Sequence, residues 1–284
     1  MMFTKTGFRS HRARGASAMT AQRLSSVIAA LLGAILISCI PQTAVCAPIN
    51  YGSHTGNTVS YIDVTEDSTT GDALPLFGAP IFSADSLDFN PVGFDAAASG
   101  AGGSDATGSR LTFMVMANAG TAITNISFFE AGQTTLAGTG TDSTSAQVTA
   151  NGTLTISEVD GSAVTPIVRP IALAFSPSGG TYGLASDGGG LPVFHTPWSG
   201  ALVVNIGPIL TSEGVPFAFG ATKLSIDIEN TLTAQSEAGT SSLVSKKDFG
   251  GISITVNIPE PSCLILAGVG VFGWASRSRG GRRS

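Results

Sequence analysis

Hydrophobic residues in the segment 49–258 recur mainly at every second position. The clearest examples are residues 224–229 (LSIDIE) and 252–258 (ISITVNI), where large aliphatic side chains alternate with polar ones. Because a strand turns successive side chains to opposite faces of a sheet, each segment is predicted to be a strand with one buried and one solvated face. Further strands are predicted at 59–64, 111–117, 123–129, 145–149, 167–175 and 201–206.

Turn-forming residues separate these segments. Clusters of Gly, Asn, Asp and Ser give this signal at Asn118-Ala119-Gly120, Asn151-Gly152, Asp160-Gly161, Ser178-Gly179-Gly180 and Asp187-Gly188-Gly189-Gly190. No stretch of the middle region keeps the helical period of about 3.6 residues. The pattern therefore predicts an all-β domain, a two-sheet, jelly-roll-like β-sandwich. Two segments rich in small residues, 96–107 and 176–200, are expected to be loops.

Composition and charge indicate an exported domain. Only 12% of the 284 residues are charged, whereas a soluble domain usually has about 25%. Both ends of the chain are basic, and all 19 acids lie between Asp63 and Glu260 with only five bases, which leaves a net charge of −14 there. Nucleic acid and anionic lipid both require a basic patch. The middle of the chain is therefore not expected to bind nucleic acid.

Residues 1–47 have the order of parts of a secretory signal peptide. A basic segment precedes an apolar run of about 14 residues, which is predicted to be the signal helix. A small-residue site follows, so cleavage is predicted after Ala47. The next residue is proline, which leaves the exact bond open. Met19 is an alternative start of the chain, and Cys39 is an alternative, lipidated residue. An uncleaved anchor would need about 20 apolar residues and fits less well.

The C-terminus carries a second membrane-directed segment. It begins with Pro259, Glu260 and Pro261, continues with an apolar stretch at 263–275 that is predicted to be a short helix, and ends in a basic tail. The basic residues of this tail are Arg277, Arg279, Arg282 and Arg283. Arginines in this position act as a stop-transfer device. At 1.5 Å per residue the apolar stretch spans about 20 Å of a bilayer core of about 30 Å, which favours a transient hold over a permanent anchor.

This order of a Pro-Glu-Pro triplet, an apolar segment and an arginine cluster resembles the PEP-CTERM sorting signal of Gram-negative bacteria. The resemblance implies that an exosortase recognises Pro259, Glu260 and Pro261 while the chain is held transiently in the inner membrane. It also implies delivery to the cell surface or extracellular matrix, since carriers are typically linked to organisms that produce exopolysaccharide and biofilm. The predicted domains are a signal peptide at 1–47, an ectodomain at 48–258 and the sorting signal at 259–284.

Three segments of the ectodomain carry a second resemblance. They are 59–68 (VSYIDVTEDS), 175–190 (FSPSGGTYGLASDGGG) and 246–251 (KKDFGG). Together they are similar to a recurrent family of uncharacterised PEP-CTERM proteins. That resemblance covers most of the chain and implies no known activity.

No motif groups the residues of the ectodomain into a catalytic centre. It has two histidines, His54 and His195, and lacks a GxSxG nucleophile elbow. Pairs of Glu and Asp suited to glycoside hydrolysis are present, but nothing singles them out. The segment 48–258 has no cysteine, which excludes disulfides and thiolate chemistry there. No enzyme activity is therefore expected.

Calcium is the ion that best fits this composition, because oxygen ligands are abundant. Candidate ligand groups are Glu66 with Asp67, Asp85 with Asp88, and the Ser186-Asp187-Gly188 turn. None of them matches an EF-hand or a glycine-rich calcium repeat. The simpler interpretation of each is a solvated turn aspartate, so no cofactor is expected, with Ca²⁺ as the alternative.

Tyr182, His195 and Trp198 lie in the Gly/Pro-rich segment 176–200. An exposed aromatic ring can stack on the apolar face of a sugar, so these residues are candidate glycan contacts. The alternative for Trp198 is a place in the core of the sandwich. The sequence thus favours a structural or matrix-associated surface protein that interacts with exopolysaccharide. A carbohydrate-binding module and an exported glycan hydrolase are the alternatives.

Overall fold

The computed structural model describes residues 46–247 and, for the strand at 252–257, the backbone. Most of this part is antiparallel β-sheet, which confirms the all-β prediction. The predicted signal helix, the alternative start and lipidation sites, the C-terminal apolar helix and the arginine tail lie outside the described residues. Among the described residues, no helix has the length and apolar character needed to cross a membrane.

The described residues form fifteen strands and one short α-helix. In chain order they are β1 Ile49–Thr55, β2 Val59–Ser68, β3 Ile81–Ser83, β4 Ser86–Phe89, β5 Asp95–Ser99, β6 Gly103–Ala117, β7 Asn125–Ala137, β8 Ser145–Val159, β9 Ser162–Ala172, β10 Ala174–Ser176, β11 Thr181–Gly183, β12 Val193–Asn205, α1 Ile206–Ser212, β13 Ala221–Ser236, β14 Ser241–Lys246 and β15 Ile252–Asn257. The helix was not predicted, and it buries Ile206 and Leu210, which are one turn apart.

The strands assemble into two sheets. A seven-stranded sheet has the order β1-β2-β6-β13-β8-β11, with β9 also paired to β8. An eight-stranded sheet has the order β10-β12-β7-β15-β4-β3. In this second sheet β7 pairs with β12 along one edge. Along its other edge β7 pairs first with β15 and then with β14, and β14 in turn pairs with β5.

The two sheets enclose one core, which follows the alternation of the sequence. Ile226 and Ile228 of β13 are buried, and so are Ile126 and Phe128 of β7 in the other sheet. All four belong to a single cluster of buried residues. The two-sheet arrangement is therefore confirmed, and the jelly-roll-like connection stays a prediction.

Both segments expected to be loops contain strands. In the segment 96–107 the small side chains of Ala96 and Ala98 alternate with exposed residues and enter the core, so that β5 forms. In the segment 176–200 a 3₁₀ turn at Ser178–Gly180 leads into β11, and β12 pairs with β7 over its whole length. Long-range pairing with a neighbouring strand, and not local propensity, decides these assignments.

Of two predicted glycine-containing turns, one is a turn in the structure and the other lies inside a strand. Asp160 and Gly161 join β8 to β9 with φ of 48° and 78°, the tight two-residue turn that was predicted. Asn151-Gly152, also predicted as a turn, lies inside β8. A Cβ at Gly152 would overlap the backbone oxygen of Asp227 in β13. The glycine there allows two backbones to approach closely and does not reverse the chain.

Candidate functional site

Tyr182 and Trp198 were candidate glycan contacts in a segment expected to be a loop, with the core as the alternative for Trp198, and the structure buries both. Tyr182 is 0% exposed on β11, and Trp198 is 2% exposed on β12. The Trp198 ring meets Phe175 edge to face, with 5.9 Å between ring centroids. Burial is the main reason why the pKa of the Tyr182 hydroxyl rises to about 12. Neither ring presents an open face to solvent, because both belong to the core.

His195, the third predicted contact, is exposed on the outer face of the eight-stranded sheet. It pairs with Thr135 of β7, and its Nδ1 lies 2.9 Å from the Thr135 hydroxyl. The same ring nitrogen lies 2.8 Å from the side-chain nitrogen of Gln133. These two neighbours orient the imidazole above the sheet.

His195 and Gln133 line an open groove of about 590 Å³ on this face. The groove is completed by Ala131, Gly132, Pro197, Trp198 and Lys247. It combines an imidazole, an amide and an ammonium group with the apolar surface of a proline. Polar groups placed beside apolar surface are typical of small-ligand sites. Gln133 and Lys247 were missed from the sequence, because only the pairing of β7 with its neighbours brings them near His195.

The described residues show no arrangement that singles out a catalytic centre. His54 lies in β1, and its ring stacks on Phe82 with 3.4 Å between centroids. Within residues 46–247 no group of three or more His, Cys, Asp or Glu side chains could hold a metal ion. The absence of enzyme activity stays a prediction.

Three of the carboxylates considered for calcium accept hydrogen bonds from the chain itself. Asp85 accepts from the backbone amide and the hydroxyl of Thr58 at 2.8 and 2.6 Å. Glu66 is fully buried and accepts from two backbone amides at 2.7 and 3.0 Å. Asp187 accepts from the backbone amide of Gly183 at 2.7 Å. These contacts hold loops and turns in place, and calcium binding stays a prediction.

A separate polar cluster lies in the core. Lys246 ends β14, and its Nζ lies 2.6 Å from Oε2 of Glu130 and 2.5 Å from Oδ1 of Asn230. The rings of Phe77 and Phe94 lie 5.6 and 5.0 Å from the same nitrogen. All three polar residues are buried. Because β7 and β14 belong to one sheet and β13 to the other, the cluster connects the two sheets.

Burial changes the ionisation of this cluster. Removal from water is the largest influence on both charged groups: it raises the pKa of Glu130 and lowers the pKa of Lys246, while their mutual attraction opposes both changes. The second carboxylate oxygen, Oε1 of Glu130, has no hydrogen-bond partner within the described part of the chain. The surroundings therefore favour the neutral pair, an amine beside a carboxylic acid, more than water does.

The predicted signal cleavage site lies at the edge of the folded domain. Ala47 is exposed, and β1 begins two residues later at Ile49. The exact cleaved bond stays a prediction. The sorting triplet at 259–261 lies outside the described residues.

Residues 257–283 match the family model of the PEP-CTERM protein-sorting motif. The match confirms the resemblance seen in the sequence and includes the Pro-Glu-Pro triplet and the four arginines. The chain therefore carries a PEP-CTERM protein-sorting motif at its C-terminal end. This motif implies recognition by an exosortase and supports export with processing at the membrane. No curated protein matches the chain.

Solved structures similar to the chain are remote. The enzymatically active domain of bacteriophage CBA120 tailspike protein 4 is 11% identical, with 76% of this chain and 20% of that chain covered and a TM-score of 0.20. The module TmCBM61 in complex with β-1,4-galactotriose is 9% identical, with 55% and 70% covered and a TM-score of 0.17. The infectious bursal disease virus Gt strain structure is 12% identical, with 71% and 52% covered and a TM-score of 0.13. The chain thus spans a fifth of the tailspike domain, and TM-scores this low carry no argument about its function.

Proposed function

We propose that this exported protein, once sorted, is a structural component of the Gram-negative cell surface or extracellular matrix and associates with exopolysaccharide. The sorting motif at 257–283 carries the proposal, because it sends the domain to a membrane-proximal, extracytoplasmic destination. The acidic character of the chain between Asp63 and Glu260 fits this setting and disfavours nucleic acid as a partner.

The groove around His195 supports contact with a glycan. Sugar hydroxyls both donate and accept hydrogen bonds, and the side chains of Gln133, Thr135 and His195 offer groups of both kinds. Pro197 adds apolar surface for the apolar face of a sugar ring. Lys247 adds a further hydrogen-bond donor to the groove. The net negative charge of the ectodomain favours a neutral polysaccharide over an acidic one.

Cosedimentation of the purified full chain with neutral extracellular polysaccharide tests this function. We expect His195→Ala and Gln133→Ala each to weaken binding about five- to tenfold, the usual effect of losing one net hydrogen bond. Thr153→Ala, exposed on the other sheet, is the matched control and should leave binding unchanged. Equal binding by all variants would contradict a role for the groove, and no binding by the unmodified chain would contradict the association itself.

A carbohydrate-binding module is the alternative that the same groove favours. A carbohydrate-binding module and a matrix component differ in selectivity. The module recognises a defined oligosaccharide, whereas the matrix component binds the polymer broadly. A glycan array separates them: one saturable short ligand, lost in His195→Ala, supports the module. An exported glycan hydrolase is the remaining candidate, and release of reducing sugar from the polymer by the purified chain would favour it.

A further inference from the structure

Lys246, Asn230 and Glu130 bring together a nucleophile, an electrophile and a proton-transfer group. The nucleophile is the ε-amine of Lys246, whose nitrogen lies 2.5 Å from the side-chain carbonyl oxygen of Asn230. A carbonyl bond is about 1.2 Å long, so the Asn230 Cγ lies within about 3.7 Å of that nitrogen. Reacting atoms about 3–3.5 Å apart are typical of near-attack geometry. The amine and the amide carbon are therefore close to reacting distance in the folded domain.

We propose that Lys246 and Asn230 form an intramolecular isopeptide bond, promoted by Glu130. The bond would join the end of β14 in one sheet to the middle of β13 in the other. It is a covalent modification site within the core and is independent of the groove that carries the proposed function.

The reaction needs an uncharged amine, and the surroundings of Lys246 supply one. Lys246 and Glu130 side chains are each 1% exposed, and two phenylalanine rings flank the nitrogen. One proton transfer along the 2.6 Å hydrogen bond converts the ammonium–carboxylate pair into an amine and a carboxylic acid. An apolar site favours this neutral form, because removing a charged group from water costs free energy.

The steps balance without an added reagent. The Lys246 nitrogen attacks Cγ of Asn230, the new C–N bond forms, and the carbonyl electron pair moves to Oδ1. Glu130 gives its proton to the amide nitrogen of Asn230 and afterwards takes the surplus proton from the Lys246 nitrogen. The carbonyl re-forms as the old C–N bond breaks, and one molecule of ammonia leaves. The products are a secondary amide and a regenerated carboxylic acid, with no change in oxidation state.

Peptide mapping of the purified full chain tests the bond. Proteolysis after glutamate cuts at Glu229 and Glu237, which places Asn230 and Lys246 on different peptides. We expect a branched product whose mass is the sum of the peptide 230–237 and the peptide that begins at Ala238, less one ammonia. Recovery of the two peptides only as separate species would overturn the proposal. This readout uses the unmodified chain and does not depend on how any variant folds.

Variants assign the roles of the residues. Lys246→Met should abolish the branched peptide, whereas Lys247→Met, its exposed neighbour, should keep it at the yield of the unmodified chain. Glu130→Gln keeps the shape of the side chain but cannot relay the proton, so we expect at least a tenfold slower rise of the branched peptide after synthesis. A branched peptide that persists in Lys246→Met would overturn the assignment of the nucleophile, and an unchanged rate in Glu130→Gln would overturn the role of the carboxyl group.

Discussion

The indole of Trp198 lies across Gly132 of the neighbouring strand. The two residues face each other in the register of β12 and β7. A Cβ at position 132 would overlap the indole ring and also the backbone oxygen of Ser245 in β14. Only hydrogen fits there, so the glycine is required by close packing on the inner face of the sheet.

Gly132→Ala should therefore destabilise the domain. Overpacking a filled core typically costs about 1–3 kcal/mol, and here both obstructing groups are held in sheets. Urea unfolding of the purified chain measures the change. Gly207→Ala is the control, because its new methyl group would meet the Phe217 ring at an ordinary 3.5 Å and alanine favours the helix α1. Equal stability of the two variants would argue against close packing of Trp198 and Ser245 on Gly132.

Trp198→Ala should act mainly by destabilising the domain and not by removing a ligand contact. Truncating a buried aromatic residue typically costs about 3–5 kcal/mol. Denaturant unfolding should show this loss, whereas His195→Ala, on the exposed face, should unfold within about 0.5 kcal/mol of the unmodified chain. Weakened glycan binding in Trp198→Ala would thus report damage to the fold, and the histidine variant is the informative one. A stable Trp198→Ala would mean that the ring is not part of the core.

Asp160 makes stability depend on pH at the acidic end. Although partial burial opposes it, hydrogen bonds from the backbone amides of Ala218, Gly220 and Phe219 hold the pKa of this carboxyl below its ordinary value. A lowered folded-state pKa contributes stability that is present above the ordinary value of about 3.9 and is lost as the pH falls below it. Stability should therefore fall less steeply with acid in Asp160→Asn than in the unmodified chain. Chemical unfolding at a series of pH values measures this, and parallel curves would contradict it.

Lys246→Met should lower stability through loss of the proposed cross-link. In the chain-entropy model, a covalent link that closes a loop of about 15 residues stabilises by about 3 kcal/mol. Lys246→Met also leaves Glu130 buried without its partner, and breaking a buried ion pair in this way typically costs about 3–5 kcal/mol more. Urea unfolding should thus separate Lys246→Met from Lys247→Met by more than about 3 kcal/mol. Coincident unfolding curves would be incompatible with a cross-link in the unmodified chain.

Replacement of Pro259, Glu260 and Pro261 by alanine should stop sorting without affecting the domain. The triplet follows β15 in the sequence, so these replacements leave every residue of the described strands unchanged. We expect the variant to accumulate in the membrane fraction of a host that has an exosortase, while the unmodified chain is released. A matched replacement of Ser276 by alanine, inside the same motif, should be released normally. Release of both variants would argue that the triplet is not what the exosortase recognises.

Much of the fold could be predicted from the sequence, because period-2 alternation directly reports which side chains enter the core. The strands that escaped prediction, such as β5 and β11, are short and lie in segments rich in glycine and alanine, where pairing partners distant in sequence decide the structure. The sorting motif could be recognised in the sequence because its parts are contiguous. The groove could not be predicted, because Gln133 and Lys247 approach His195 only through the pairing of β7.

The buried cluster of Lys246, Glu130 and Asn230 could be predicted from the sequence only in part. Asn230 continues the buried row of Ile226 and Ile228, and Glu130 continues that of Ile126 and Phe128. A polar residue at an inward position of a strand is a signal that could have been read from the alternation. What the alternation could not show is that the two rows face each other and that Lys246 reaches both.

The position of β15 determines how a mechanical pull reaches the domain. This strand is hydrogen-bonded to β4 on one edge and to β7 on the other, and the sorting motif begins at its last residue, Asn257. Tension applied at the C-terminus therefore runs along a strand held on both edges, and detachment requires many hydrogen bonds to shear together instead of opening one after another. A bond at Lys246, six residues before β15, would give the next stretch of chain a covalent tether to the opposite sheet and so limit how far the domain could extend under load.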